Sequence, residues 1–274
     1  MKSNHENVIL VTGASSGIGA ACVEYLSQQG HRVFGAGRRA PFPPVPDPAG
    51  APVLVHMDVD DAASVQRAVD VVVETAGRID AVVNNAGFGT AGAVEETSVE
   101  VAQAQFNTNF FGVLRVCHAV LPIMRAQGRG TIVNIGSLGG VVALPFQPFY
   151  SASKFALRAM TDALRVEVKP FGIHVVLVEP GDVATSFTAN RRVVHVNPVY
   201  AGRFERMMTV VERDECGGAA PQDVARVVAR AVAHPSPQPC YRVGPPAQQL
   251  AAALKGVLPA RLVEWALIKY YNLE

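Results

Sequence analysis

The stretch "LVTGASSGIGAACVEYL" (10–26) decides how the rest of the chain is read. Apolar residues run into Gly13, Gly17 and Gly19, and a helical pattern begins directly behind them. With no Cβ in the way, backbone amides and the positive end of that helix can approach a pyrophosphate. The spacing is G-x-x-x-G-x-G, not the G-x-G-x-x-G of the commoner dinucleotide fingerprint. Three glycines alone would also suit a plain turn, but their place straight after a first strand favours a nucleotide cradle.

Outward from this stretch, short apolar runs alternate with longer helical segments. "NVILV", "HRVFGAG", "PVLVHM", "IDAVVN", "GTIVNIG" and "IHVVLVEP" are nearly continuous and bounded by Gly, Pro or Asn, as strands covered on both faces should be. Between them, 3.6-residue periodicity marks helices over roughly 16–29, 61–76, 99–127 and 150–169. Strand–helix–strand repetition implies right-handed crossovers, hence an α/β fold: a doubly wound, Rossmann-like parallel sheet in one domain over 1–274.

Two regions break the rhythm. "APFPPVPDPAGAP" (40–52) is too rich in proline for a sheet and reads as a loop. Over about 186–220 the pattern is irregular, with Phe187, Tyr200, Phe204, Met207 and Met208 set among arginines, and a mobile lid over a ligand is expected there. A final segment, about 247–274, reads as a helical extension that packs on the domain or a partner chain. Its apolar and charged residues do not separate into the two faces that a lipid surface would select.

Composition removes several function classes. The chain has 274 residues, 49% apolar and 17% charged, with a net charge of +1 and its cations scattered, so no nucleic-acid footprint is expected. No apolar run reaches the roughly 18 residues of a membrane span, and "VILV" is too short for a secretory core, so no integral membrane segment and a cytoplasmic location are expected. Cys22, Cys117, Cys216 and Cys240 form no C-x-x-C pair, no histidine stands at ligand spacing, and no metal is expected.

The chemistry concentrates in "PFYSASKFALRAM" (148–160), where Tyr150 and Lys154 stand four residues apart on one helix face. A free phenol is a poor acid at neutral pH, and the Lys154 cation is expected to bring the Tyr150 pKa down. Tyr150 could then hand a proton to an oxygen that gains charge as a hydride reaches its carbon. Ser137, at the end of the fifth strand, could hydrogen-bond the same oxygen. Each residue alone has a bland reading as packing or turn, and their agreement on one mechanism is what carries weight.

With these motifs in hand, the chain resembles the short-chain dehydrogenase/reductase family in its compact branch, over roughly 7–245. The resemblance rests on "TGASSGIG" (12–19), Asp58, "NNAG" (84–87), Asn109 in "FNTNFFG", Ser137 in "IVNIGS", "YSASK" (150–154) and "PGDVAT" (180–185). In flavour it is closest to the steroid, retinol and long-chain carbonyl reductases. It implies a catalytic set of Asn109, Ser137, Tyr150 and Lys154, with Asn109 ordering water in a proton relay. It also implies cofactor contacts from the turn Gly13, Ser15, Ser16, Gly17, Ile18 and Gly19. Further contacts would come from Asp58 and Val59 at the adenine, Asn85, Ala86 and Gly87 at the ribose, Tyr150 and Lys154, and Pro180, Gly181, Val183 and Thr185 at the nicotinamide. A homodimer or homotetramer, built on the helices at 99–127 and 150–169, follows from the same resemblance.

The second strand ends in Gly37, Arg38 and Arg39, where an acidic residue would grip a ribose 2′-hydroxyl. Arginines there suit a 2′-phosphate, so NADP(H) is expected over NAD(H). Phe88, Leu138, Phe146, Phe149 and Phe187 are the candidates for a pocket holding a lipophilic ketone or alcohol. The expected activity is NADP(H)-dependent interconversion of a carbonyl and a secondary alcohol. The alternative is a catalytically silent NADP(H) sensor or scaffold, which a broken Ser-Tyr-Lys set would signal and this intact one does not.

Overall fold

The computed structural model describes residues 6–38, 52–185, 187 and 190–274. Arg39 and residues 40–51 lie outside the described residues, so the expectations for that arginine and for the proline-rich loop are not addressed by it.

In chain order the elements are β1 (Val8–Thr12), α1 (Gly17–Gln28), β2 (Arg32–Gly37), β3 (Val53–His56), α2 (Ala62–Ala76), β4 (Ala81–Asn84), β5 (Thr90–Ala91), α3 (Val99–Phe106), α4 (Gly112–Gln127), β6 (Gly130–Ile135), α5 (Pro148–Val168), β7 (Ile173–Pro180), β8 (Arg192–Val193), α6 (Pro198–Cys216), α7 (Pro221–Ala233), β9 (Cys240–Val243), α8 (Pro246–Leu254) and α9 (Ala260–Tyr270). Seven strands form the parallel sheet β3-β2-β1-β4-β6-β7-β9, the order reversing between β1 and β4. Ligands of such sheets bind at that reversal, outside the carboxyl ends of the strands. This is the doubly wound fold that the sequence implies.

The alternation along β1 shows why the sheet is covered twice. Val8 and Leu10 enter a core with α2, α4 and α5 residues such as Val69, Val120 and Leu157. Ile9 and Val11 face the other way, into a core with Leu26 of α1 and Val224 and Val228 of α7. Every second side chain of a strand shares a face, so a run apolar at all positions needs partners on both sides.

The helix expected over 99–127 is divided. Its middle, Asn107–Phe111, is a π-helical turn between α3 and α4. Such a turn inserts an extra residue and re-aims the side chains beside it, here carrying Asn109 into the interior.

The stretch 186–220 is more regular than its sequence pattern suggested. Most of it is the nineteen-residue helix α6, and Met207, Val210 and Val211 form a third core with Tyr271 and Leu273 from the chain's end. Of the apolar residues that suggested a lid, Met207 lies in this core with Met208 packed against it, Tyr200 and Phe204 pack edge-on against Phe146, and Phe187 borders the cleft. That segment is the helical pair α8 and α9, as its greasy pattern indicated. Among the described residues no helix is long and apolar enough to cross a membrane.

One buried charge ties α5 to the far edge of the sheet. Glu179, 1% exposed at the end of β7, accepts from Arg158 of α5 and, at 3.2 Å, from Arg242 Nε of β9. Removing one partner of such a group strands the others, and here both guanidiniums reach solvent and can recover some hydration. Glu179→Ala should therefore cost about 3 kcal/mol of unfolding free energy in a denaturant titration, the low end for a broken buried pair; a loss under about 1 kcal/mol would mean that the triad adds nothing.

Candidate active site

The glycine turn is built against the segment that follows β4. Gly13 and Gly17 have φ of 65° and 55°, a backbone that L side chains rarely adopt. A Cβ at Gly19 would lie 2.2 Å from the Gly13 carbonyl oxygen and 2.5 Å from Asn85 Nδ2. Thr12 Oγ1 accepts from the amides of Asn85 and Ala86, both at 3.0 Å, while Asn85 Nδ2 donates to the carbonyls of Thr12 and Gly13. The Asn85 side chain therefore braces the turn. Ser16, at the N-cap of α1, accepts no bond that would cap the helix, so the first amides of α1 face the cleft uncapped.

The cleft at the carboxyl ends of the strands encloses about 830 Å³. It is bordered by Gly13, Ser15, Ser16, Gly17, Ile18, Arg38, Asp58, Val59, Asn85, Ala86, Gly87, Pro180, Gly181, Val183 and Thr185. Gly19 lies beneath this surface, buried as the close-packing glycine of the turn. Gly37 has open space where a Cβ would stand, so what is missing there is an acid and not room for one.

Ser137, Tyr150 and Lys154 converge on the same cleft. A Cβ on Gly139 would stand 3.3 Å from both Ser137 Oγ and the Tyr150 ring. Ser137 Oγ also accepts from the Gly139 amide at 2.9 Å, which fixes its rotamer. Lys154 is buried and donates from Nζ to the Ile135 carbonyl at 2.8 Å. Burial lowers its pKa to about 8.

The Tyr150 phenol departs from the sequence expectation. Its pKa is raised by burial, with the Ser137 hydroxyl pulling it back, Glu215 pushing it up and Arg191 drawing it down. Desolvation of the phenolate outweighs attraction to nearby cations, so the group holds its proton at neutral pH.

Asn109 is buried and fully engaged. Its Oδ1 accepts from the Phe88 amide at 3.0 Å, and its Nδ2 donates to the Phe88 carbonyl at 3.0 Å and to Ser153 Oγ at 3.1 Å. The side chain thus clamps the loop after β4 to the residue beside Lys154, and does not itself border the cleft.

Of the substrate candidates, Phe88, Leu138 and Phe187 border the cleft, and Phe146 and Phe149 do not. Phe146 has φ of 54°, and its ring turns away to pack edge-on against Phe204 at 5.7 Å and Tyr200 at 6.1 Å. Sequence reasoning missed most of the opposite wall, where α8 and α9 contribute Gln248, Ala252, Leu262, Ala266 and Tyr270. The apolar C-terminal segment was the only available sign. Gln248 Oε1 accepts from the Asp182 amide at 3.1 Å and occupies the space that a side chain on Gly181 would need, docking α8 onto the turn after β7.

Comparison with known proteins agrees with this geometry. The family model for short chain dehydrogenases matches residues 7–194. A 3-ketodihydrosphingosine reductase from Bacteroides thetaiotaomicron is 42% identical, over 97% of this chain and 98% of the relative. A short-chain dehydrogenase from Streptomyces avermitilis superposes with a TM-score of 0.83 at 33% identity, covering 97% of this chain and 98% of that one. A Burkholderia phymatum member, solved with NAD, superposes at 0.77 with 25% identity, covering 93% and 94%. The chain belongs to the short-chain dehydrogenase/reductase family of NAD(P)-dependent oxidoreductases acting on carbonyl and alcohol groups.

Proposed function

We propose that this protein is an NADP(H)-dependent reductase of lipophilic ketones, with Tyr150 as the proton donor. The observation that carries the reading is the convergence of a protonated Tyr150, Ser137 and Lys154 on a large cleft walled partly by apolar helices. The residues present fit a dinucleotide: a glycine cradle that a Cβ would fill, and a helix start whose first amides carry no cap. Once bound, a nicotinamide supplies the hydride.

The chain's own groups supply the rest. Ser137 orients the substrate carbonyl oxygen and Tyr150 protonates it. Lys154, charged below its pKa of about 8, stabilises the phenolate that remains. Asn109 and Ser153 act through position, holding the Phe88 loop against α5. The relative from Bacteroides is named for reducing 3-ketodihydrosphingosine, and a ketone of that class is the first substrate to test.

Tyr150→Phe keeps the ring and removes the acid. NADPH binding, followed by its fluorescence, should survive while turnover of a long-chain ketone falls by roughly 10² or more, the usual worth of general acid catalysis. Retention of most activity would remove Tyr150 from the mechanism.

The preference for NADP(H) rests on Arg38 at the end of β2, beside the open space over Gly37. Arg38→Ala should weaken NADPH by about 2 kcal/mol, the scale of a lost charge-assisted phosphate contact, and leave NADH nearly unchanged. Gly37→Asp, for which there is room, should shift the preference toward NADH. Equal losses for the two cofactors in the Arg38 variant, or a wild-type preference for NADH, would contradict the assignment.

A further inference from the structure

Gln147 stands immediately before α5, three residues ahead of Tyr150. It is 2% exposed and borders the cleft. Its main chain is held on both sides: the amide donates to the Leu144 carbonyl at 3.2 Å, and the carbonyl accepts from the Ser151 amide at 3.0 Å. The side chain takes no part in this. Although Gln147 is the N-cap of α5, its side chain caps no amide of the helix, and among the described residues its Oε1 and Nε2 have no hydrogen-bond partner. Unlike partnerless interior atoms such as Asn84 Oδ1, neither is sealed from water, so the little surface that Gln147 keeps lies at its amide and opens on the cleft.

The spacing indicates which part of a ligand would meet that amide. Gln147, Tyr150 and Lys154 stand at i, i+3 and i+7, the spacing of one helix face, and all three border the cleft. Lys154 ends the row at the sheet, with its ammonium on the Ile135 carbonyl of β6. Gln147 ends it on the other side of Tyr150, bonded to the turn that brings Leu138, Val142 and Leu144 to the cleft. A ketone whose oxygen lies at Tyr150 thus extends past Gln147 within a few bonds of its carbonyl.

A free amide is costly in a cleft that fills with an apolar ligand. A plain alkyl chain would strip water from the donor and the acceptor and return no bond to either. A substituent that bonds the amide avoids that cost, and a site with a buried polar group to satisfy rejects the analogue lacking its partner far more strongly than an apolar wall rejects a change of one methylene. Resting on the reductase reading above, we propose that Gln147 is a specificity-determining residue, whose side-chain amide pairs with a hydroxyl or amino substituent that the lipophilic ketone carries within a few bonds of its reacting carbonyl. Both substituents can donate to Oε1, and a hydroxyl can also accept from Nε2.

The test is calorimetric titration of the NADP-loaded protein, which holds no hydride to transfer, so that binding is read without turnover. The probes are long-chain ketones of one length: unsubstituted, or bearing a hydroxyl, an amino or a methoxy group on the first or second carbon from the carbonyl. The wild type should bind at least one hydroxy or amino ketone about ten-fold or more tighter than the unsubstituted ketone. Gln147→Leu keeps the main-chain bonds and removes the amide. It should bring that ratio toward one from both sides, binding the substituted ketone more weakly and the plain ketone more tightly, whereas a residue that merely supported the turn would weaken both together. Gln147→Met is measured beside it, and NADPH fluorescence reports that each variant is folded.

Equal binding of substituted and plain ketones by the wild type would overturn the proposal. So would a ratio that survives in both variants, a parallel loss for every ketone, or a methoxy ketone that binds as tightly as the hydroxy ketone in wild type and variants alike. Turnover is followed separately with NADPH. Selective binding without reduction would count against the reductase reading and leave the Gln147 assignment standing.

Discussion

The contact on which the site depends is between a turn and a helix backbone. A Cβ on Gly140 would stand 2.9 Å from both the carbonyl carbon and the carbonyl oxygen of Lys154, so only glycine lets the turn after β6 lie flat on α5. That approach sets Ser137 against Tyr150 and closes Lys154 into the interior, with its ammonium on the Ile135 carbonyl. Position and protonation thus come from one packing event. A looser turn would leave the same residues in the chain, with a wetter lysine of ordinary basicity.

The cleft has two halves of different origin. One half is the carboxyl end of the sheet, where Thr12, Asn85 and the glycine turn lock together around a cradle that no side chain can enter. The other is assembled from segments distant in sequence: the residues around Arg191, the inner face of α6, and the C-terminal pair α8 and α9. Only the first half is imposed by the fold. The second is built from loops and extensions, the parts of a shared fold that vary most and carry its different functions.

This division explains what could be read from the sequence. β1 and α1 were legible because a β-branched run, three glycines and a helical period follow one another locally, and Tyr150 and Lys154 because their spacing is a helix turn. The inward aim of Asn109 was not, since a π-helical turn leaves no mark on periodicity. Phe146 and Phe149 stand near Tyr150 in sequence yet do not border the cleft, and the Phe146 ring packs instead against Tyr200 and Phe204 beside the third core. The stretch 186–220 looked irregular because the partners that make α6 amphipathic, Tyr271 and Leu273, lie at the far end of the chain. The Lys154 cation was expected to depress the phenol, yet burial, which a sequence cannot display, governs both groups.

If burial sets the protonation of this pair, the pH dependence of carbonyl reduction is its most direct readout. Tyr150 keeps its proton beyond neutral pH, and Lys154 keeps its charge only below about 8. The measurement is kcat/KM for NADPH-dependent reduction of a long-chain ketone across the neutral and alkaline range. The rate should be level at neutral pH and fall as pH rises through about 8, where Lys154 loses its proton. A rate that stays level into the ordinary lysine range, or that rises there, would contradict the claim that the buried Lys154 cation supports proton transfer from Tyr150.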